Sequence, residues 1–223
     1  RLEFLEPELD SRFSNGVYFP SEGQIDGRGL LHALEKTFAE DGRVSRHENH
    51  VERLEPGVVR TSSGQVACDW VIDCRGLAAK LDWTGLRGVR GEILRVFAPE
   101  VLLNRPVRLM HPRYPLYIAP RPNHRFVIGA TCLEDEVEKP VTIRSMLELL
   151  TSAFSIHPGF AEGWIEESVT GHRPALPDNL PCVRYRKGLV RINGLYRHGF
   201  LLAPSLAEGV AKIMDGESPD GAF

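Results

Sequence analysis

The most constraining feature of this sequence is a strand, a glycine-containing turn and a helix that follow one another near residue 200. The apolar run at residues 188–193 predicts a strand, and small and apolar residues at 204–214 predict a helix that has Pro204 in its first turn. Between them, Gly194 and Gly199 allow the backbone to turn sharply or to approach a ligand. Such a junction can present free N–H groups to an electron-rich ligand atom. The same pattern also occurs in ordinary strand–helix connections, so by itself it leaves both interpretations open.

The composition argues against several classes of function. The chain has 223 residues, which is enough for one large domain or two small ones, and its apolar share of 42% is ordinary for a globular protein. With 27 basic and 30 acidic residues the net charge is -3, which gives no electrostatic basis for binding nucleic acid or an acidic membrane surface. No apolar run has the length of a membrane span.

Cysteine and histidine spacing indicates neither a disulfide framework nor a metal site. The four cysteines are widely separated and form no CxxC pair, which fits a reducing cytoplasm best. His47 and His50 lie in a strand-like pattern that directs them to opposite faces, so we assign no metal.

The order of predicted elements indicates an α+β fold in which a few helices accompany many antiparallel strands. We predict irregular structure over residues 1–20, ending in a strand at 16–19. Helices are predicted at 27–40, capped by Asp26, and at 143–154, capped by Thr142. Further strands are predicted at residue 44 and at 51–54, 58–61, 70–74, 92–97, 107–110, 116–119, 125–130, 164–170, 182–185 and 189–193.

Two arginines and a histidine are candidates for chemistry. Arg173 follows a predicted strand within a predicted proline-rich loop, and Arg197 lies in the glycine-containing turn. A guanidinium group matches a carboxylate or phosphate with two oxygens, although both could be ordinary surface arginines. His198 could act as an acid or base near neutral pH, or serve only for capping and packing.

Several short blocks of sequence are spread over nearly the whole chain. They are residues 16–26 (GVYFPSEGQID), 69–78 (DWVIDCRGLA), 90–92 (RGE), 117–121 (YIAPR), 127–131 (VIGAT), 173–174 (RP) and 194–204 (GLYRHGFLLAP). No single block is specific, but in this order they resemble the glycine oxidase/D-amino acid oxidase family of FAD-dependent amine oxidoreductases. The likeness is greatest to the glycine oxidase branch tied to thiamine biosynthesis.

The resemblance implies a mixed α/β protein of two domains. Residues 1–20 and 88–168 would form a substrate domain with an antiparallel or mixed sheet. Residues 21–87 and 169–223 would form the remainder of a Rossmann-like FAD-binding domain. The GxGxxG turn that opens this family has no match here, so we expect an N-terminal βαβ portion of the domain to be missing from the sequence.

The resemblance also implies roles for individual residues. Arg173 would grip the substrate carboxylate, Tyr117 would hydrogen-bond to it, and Arg197 would lie beside flavin or substrate. Glu48 falls where the family sets backbone atoms against the adenine. The other residues implied to contact FAD are Gly76, Leu195, Tyr196, Arg197, His198, Gly199, Phe200 and Leu201.

The activity implied is oxidative deamination of glycine or another small amino acid by hydride transfer to FAD. Molecular oxygen would be the acceptor, and hydrogen peroxide, ammonia and an imine or oxo acid the products. A sarcosine-oxidase-like enzyme and a quinone-linked D-amino acid dehydrogenase remain alternatives within the flavoenzymes. A non-catalytic fragment or binding module without cofactor remains an alternative of another class. Family members are often oligomers, so a homo-oligomer also stays open.

Overall fold

The chain divides into two compact units, each made of two separate stretches. The computed structural model describes residues 2–9, 13, 15–112 and 115–217. The first unit comprises Arg1–Ile25 and Arg90–His172, and the second comprises Asp26–Val89 and Arg173–Phe223. From the sequence, the chain was predicted to pass from one domain to the other after residues 20, 87 and 168.

The described residues form four α-helices, two short 3-10 helices and eleven strands. The helices are α1 (Leu2–Leu5), α2 (Gly27–Glu40), α3 (Ile143–Ile156) and α4 (Gly199–Met214), and the 3-10 helices are Gly76–Asp82 and Pro158–Glu162. The strands are β1 (Val51–Glu55), β2 (Val58–Thr61), β3 (Gly64–Ala67), β4 (Val71–Asp73), β5 (Arg87–Phe97), β6 (Val107–Leu109), β7 (Leu116–Arg121), β8 (Arg125–Gly129), β9 (Trp164–Ala175), β10 (Cys182–Arg186) and β11 (Leu189–Asn193).

The first unit is built on a five-stranded sheet in the order β6-β7-β8-β5-β9. Its β6–β7, β7–β8 and β8–β5 pairs are antiparallel. Residues of β5 alternate in burial as expected of a strand with one covered face. Leu94, Ile118 and Ile128 from the sheet pack with Leu149 and Ile156 of α3 in one core cluster. The sheet therefore has α3 on the face that forms its core.

A buried ion pair lies at the start of the second stretch of this unit. Arg90 and Glu92 both have fully buried side chains, and Arg90 Nη2 lies 2.6 Å from Glu92 Oε1. Arg90 also donates to the carbonyls of Lys139 and Pro140, at 2.9 and 2.6 Å. Glu92 Oε1 accepts from the backbone N–H of Thr142, the N-cap of α3. The pair thus joins β5 to the segment that begins α3, and its charges are satisfied by hydrogen bonds.

The second unit contains two three-stranded sheets. One has the antiparallel order β1-β2-β3, and the other has the order β10-β11-β4, in which β11 and β4 are parallel. Val190, Val210 and Ile213 pack α4 against this second sheet. The parallel pair and the helix after it are the elements that position the candidate site.

Helix α2 of the same unit has no buried residue. Its apolar side chains Leu31, Leu34 and Phe38 are 54%, 40% and 51% exposed. They recur at helical spacing and form one bare apolar face.

The mixed α/β class and most predicted elements agree with the structure. Both predicted N-caps are present: Asp26 Oδ1 accepts from Arg28 N at 3.3 Å, and Thr142 Oγ1 accepts from Ser145 N at 3.2 Å. These side chains satisfy first-turn N–H groups, which is why the predicted starts of α2 and α3 are correct.

Other local expectations were wrong. Residues 16–19 and residue 44 form no strand, because in the described chain no neighbouring strand pairs with them, and a short helix, α1, lies within the stretch expected to be irregular. β3 was not predicted. In β4, a continuous apolar run typical of a fully buried strand, Ile72 is 45% exposed, because among the described residues only the face that carries Val71 and Asp73 is covered.

Two further differences involve prolines. β9 continues through residues 171–175, which were expected to be a loop. It is an edge strand, so Pro174 can lack an N–H without breaking the sheet. Helix α4 begins at Gly199, five residues before the predicted start, and Pro204 lies inside it. The carbonyl left without a helical partner belongs to Phe200, which is 54% exposed, so water can bond to it.

In the described part of the chain, no helix combines the length and apolar character needed to cross a membrane.

Replacing Arg90 by Met should lower the free energy of unfolding by about 3–5 kcal/mol, because it leaves the Glu92 carboxylate buried and unpaired. Urea titration of both proteins measures the difference. The control is Arg125→Met on β8, whose ion pair with Glu166 has side chains 47% and 30% exposed. That change should cost less than about 1 kcal/mol. Equal losses in the two variants would contradict the role given to the buried pair.

Candidate functional site

Two parallel strands of the second unit end side by side. In the β4–β11 pair, Val71 lies opposite Leu189 and Asp73 opposite Arg191. Because the strands are parallel, their carboxyl ends meet at one edge of the sheet, where open α/β folds bind ligands. Gly76 follows the first strand with φ +56°, and Gly194 follows the second with φ +77°. The positive φ angles explain glycine at both positions.

The side chain of Asn193 connects the two strand ends. Asn193 is only 2% exposed. Its Nδ2 donates to the carbonyl of Gly76 at 2.9 Å, and its Oδ1 accepts from the N–H of Gly194 at 2.8 Å. One amide group is therefore bonded to both loops.

The turn after β11 is also fixed to the end of β9. The N–H of Tyr196 donates to the carbonyl of Pro174 at 3.0 Å, and the N–H of His198 donates to the carbonyl of Leu195 at 2.9 Å. Tyr196 has φ +49°, which is unusual for a residue other than glycine. Since Arg173 precedes Pro174, these bonds bring Arg173 into the same region as the turn.

The first turn of α4 leaves backbone donors without a partner in the helix. His198 is the N-cap and makes no capping bond with its side chain. Leu202 N is the first amide to bond within the helix, to His198 O at 2.9 Å. The preceding three N–H groups, those of residues 199–201, lie at the positive end of the helix. A Cβ added at Gly199 would meet no atom within 4 Å, so this end borders open space.

Four charged residues form a network beside the strand ends. Asp73, whose side chain is 1% exposed, bonds to Arg75 through both carboxylate oxygens, at 2.8 and 2.9 Å. Arg191 Nε lies 3.8 Å from Asp73 Oδ2. Asp82 bonds to Arg75 at 2.7 Å and to Arg191 at 3.2 Å. The network ties β4, β11 and the 3-10 helix Gly76–Asp82 together.

The arginines determine the ionisation of this network. Burial raises the pKa of Asp73, but hydrogen bonds from Arg75 and the charges of Arg75 and Arg191 outweigh it, so the pKa of Asp73 is lower than usual. Cys74 is exposed as a residue, and the pKa of its thiol is raised by the protein that surrounds the sulfur and by the adjacent Asp73 charge. Asp73 is therefore ionised at neutral pH, and Cys74 has the character of a neutral thiol.

The structure brings some of the predicted site residues together. Gly76, Arg173 and residues 195–201 lie around the ends of β4, β9 and β11, and Arg197 and His198 are exposed there. Glu48 is exposed, and its carboxylate lies 3.3 Å from Arg46 Nη2. This ion pair does not connect Glu48 to the turn at residues 194–198. Every functional role assigned to these residues stays a prediction.

Tyr117 belongs to the first unit and lies on β7, opposite Gly129 of β8. A Cβ at Gly129 would lie 2.7 Å from the Tyr117 hydroxyl oxygen, so glycine makes room for this side chain. The role of Tyr117 toward a carboxylate also stays a prediction.

The profile of the DAO family, FAD dependent oxidoreductase, matches residues 1–213. The chain belongs to this family. The resemblance inferred from the sequence blocks is thereby confirmed.

Individual proteins are similar to this chain in sequence and in structure. A Rhizobium etli protein named for an oxidoreductase of thiamine biosynthesis, ThiO, is 48% identical over 93% of this chain and 60% of its own length. The crystal structure of glycine oxidase from Geobacillus kaustophilus matches with a TM-score of 0.85 at 28% identity, over 100% of this chain and 62% of that one. Glycine oxidase from Bacillus cereus matches with a TM-score of 0.86 at 28% identity, over 99% of this chain and 65% of that one. The mixed α/β class is confirmed, and the chain spans about 60% of the length of these relatives.

The residues present fit the flavin on which the DAO family depends. The amides that lack a partner within α4 border open space, and the positive end of a helix suits an electron-rich edge. The glycines at the two parallel strand ends allow close approach of a ligand to the backbone.

Sequence reasoning missed Asn193 and the charged network. A signal was present, because Asp73 and Arg191 interrupt apolar strand sequences, and charged residues in such strands are buried only with partners. Their partners could not be identified before the parallel pairing of β4 with β11 was known.

Replacing Asp73 by Asn should lower the free energy of unfolding by about 2 kcal/mol at neutral pH, because charged hydrogen bonds to Arg75 are lost. The folded pKa of Asp73 is depressed, so its stabilisation is present above the ordinary carboxyl pKa and is lost as pH falls through the folded value. The difference between wild type and variant should therefore shrink in acid. Urea titrations from about pH 6 to about pH 3 check this, and a constant difference would contradict it.

Proposed function

We propose that the protein is an FAD-dependent enzyme that oxidises glycine or another small amino acid. The observation that carries the proposal is the junction at residues 194–201, where a glycine turn between parallel strand ends leads into an uncapped helix start. A chain of the DAO family that has this junction retains part of a flavin site. The chain is 48% identical to a protein named as an oxidoreductase of thiamine biosynthesis. This identity supports an oxidase activity, and we propose that the imine formed from the amino acid is used in thiamine biosynthesis.

The two units take different roles in this proposal. The second unit, which has the parallel strands and the uncapped start of α4, holds FAD. It also contains Arg173, which is assigned to the substrate carboxylate below. The first unit, with its five-stranded sheet, is the proposed substrate domain. FAD supplies the capacity to accept a hydride from the substrate α-carbon. The chain positions the substrate and flavin, and no strong general base is needed once the amine is neutral.

Within the second unit, the proposed cofactor contacts come mostly from backbone. The amides of residues 199–201 would donate hydrogen bonds to the flavin, and the positive end of α4 would stabilise negative charge on it. Gly76 allows the backbone to lie against the cofactor. These contacts do not depend on a charged side chain, which is consistent with the exposed apolar side chains of Phe200 and Leu201.

Arg173 is proposed to bind the substrate carboxylate. It is half-buried, and the carbonyl of the following Pro174 is bonded to Tyr196 N. The backbone that carries the guanidinium is thus fixed both by the β9 strand and by the turn. A fixed fork of two N–H groups matches the two oxygens of a carboxylate. Molecular oxygen is the proposed acceptor, with hydrogen peroxide as a product.

The complete protein, purified as expressed, should show the two visible absorption bands of an oxidised flavin. Addition of glycine without oxygen should bleach them, and oxygen should restore them with release of peroxide. Intact mass measured on the same sample shows whether the molecule exceeds the 24.9 kDa of this chain. Sarcosine and D-alanine tested in parallel define the substrate, and a quinone-linked enzyme would reduce a quinone without releasing peroxide. Absence of flavin after addition of FAD would contradict the proposal.

Replacing Arg173 by Ala should raise KM for glycine about 10- to 100-fold, because hydrogen bonds to a charged group are worth about 1.5–3 kcal/mol. Steady-state peroxide release measures KM and kcat. The control is Arg186→Ala, an exposed arginine on β10 of the same unit, which should leave KM unchanged. An unaltered KM in the Arg173 variant would contradict its role.

A further inference from the structure

A single side-chain amide bridges the two loops at the parallel strand ends. Asn193 Nδ2 bonds to Gly76 O across 117 residues of sequence, and Oδ1 bonds to Gly194 N beside it. Asn193 is 2% exposed, so water competes little for either bond. Both glycines have positive φ, so neither loop continues its strand in a regular way.

We propose that Asn193 is a positioning residue. It sets the distance between the segment at residues 74–76, which follows β4 and is called the Gly76 loop, and the junction at residues 194–201. The inference rests on the proposed function, in which both segments contact FAD. Asn193 itself touches neither substrate nor cofactor in this proposal. It acts through the backbone of the two loops, so its loss changes how well the cofactor fits.

The chemistry of the bridge explains why an asparagine suits this position. One end of the side chain must donate to a carbonyl and the other must accept from an N–H, and an amide does both. An aspartate of almost the same shape accepts at both ends when ionised, so it would set a carboxylate oxygen against the carbonyl of Gly76. A buried carbonyl facing a carboxylate loses its bond and is repelled.

The other contacts of the turn do not replace the bridge. Tyr196 N bonds to Pro174 O, which fixes the turn to β9. A Cβ at Gly194 would lie 2.7 Å from Leu176 Cδ1, so the turn is packed tightly on that side. These contacts hold the turn against Pro174 of β9 and against Leu176, which follows β9. In the part of the chain that the structure describes, the carbonyl of Gly76 accepts its hydrogen bond from Asn193.

The test compares Asn193→Asp with Asn179→Asp in the complete protein. Asn179 is exposed, has φ +59°, and its Oδ1 accepts from Arg87 Nη2 at 2.8 Å. The contact with Arg87 requires only an acceptor oxygen at position 179, which an aspartate also provides. FAD is removed and titrated back into each apoprotein, and the dissociation constant is measured by flavin fluorescence. The absorption and circular dichroism spectra of the bound flavin are recorded at saturation.

The Asn193→Asp variant should bind FAD about tenfold more weakly, the equivalent of one hydrogen bond, and should show altered flavin spectra at saturation. The Asn179→Asp variant should match wild type in both. The spectra of saturated, folded protein report the surroundings of the flavin, and a purely structural role would leave them unchanged. Asn193→Ser, neutral and smaller, keeps the test possible if the aspartate variant does not fold, and the same changes are expected of it.

The outcomes separate the two proposals. A wild-type protein that does not bind FAD contradicts the proposed function. A wild-type protein that binds FAD, together with Asn193 variants of unchanged affinity and spectra, overturns the positioning role alone. A lower melting temperature with unchanged affinity and spectra also overturns the positioning role, because the side chain would then contribute only to stability.

Discussion

The parallel pairing of β4 with β11 is the constraint on which the second unit depends. It places Asp73 opposite Arg191, and so permits the network with Arg75 and Asp82. It also brings the two glycine junctions to one edge of the sheet. Parallel strands are joined only by long connections, and here 115 residues separate Asp73 from Leu189. The electrostatic network and the candidate site thus share one origin.

The two units use charge in different ways. In the first, Arg90 and Glu92 are fully buried and are satisfied by backbone carbonyls and an N–H as well as by each other. In the second, Arg75 and Arg191 keep 21% and 22% of their side-chain surface exposed. Complete burial makes a pair sensitive to the loss of either partner, whereas partial exposure lets water moderate the loss. The first pair fixes the start of a helix, and the second network fixes strand ends beside open space.

Local signals in the sequence were sufficient for the helices that have side-chain caps. Asp26 and Thr142 marked the starts of α2 and α3, because a cap acts within three residues. Helix α4 has no such cap, and its start was misplaced toward Pro204. The strand assigned to residues 16–19 failed because strands require a partner that a local pattern does not specify. At the site, the glycines and Arg173 could be selected from local pattern and family resemblance, whereas the bond from Asn193 to Gly76 is a long-range contact that no local pattern contains.

Helix α2 has a practical consequence for work with this chain. The side chains of Leu31, Leu34 and Phe38 form an exposed apolar face on it. The helix has 14 residues, a length that is marginal for an isolated helix in water. A bare apolar surface of this kind promotes self-association. Samples in which it is uncovered will bind hydrophobic dyes and lose solubility as concentration rises, so solution behaviour reports directly on whether this face is covered.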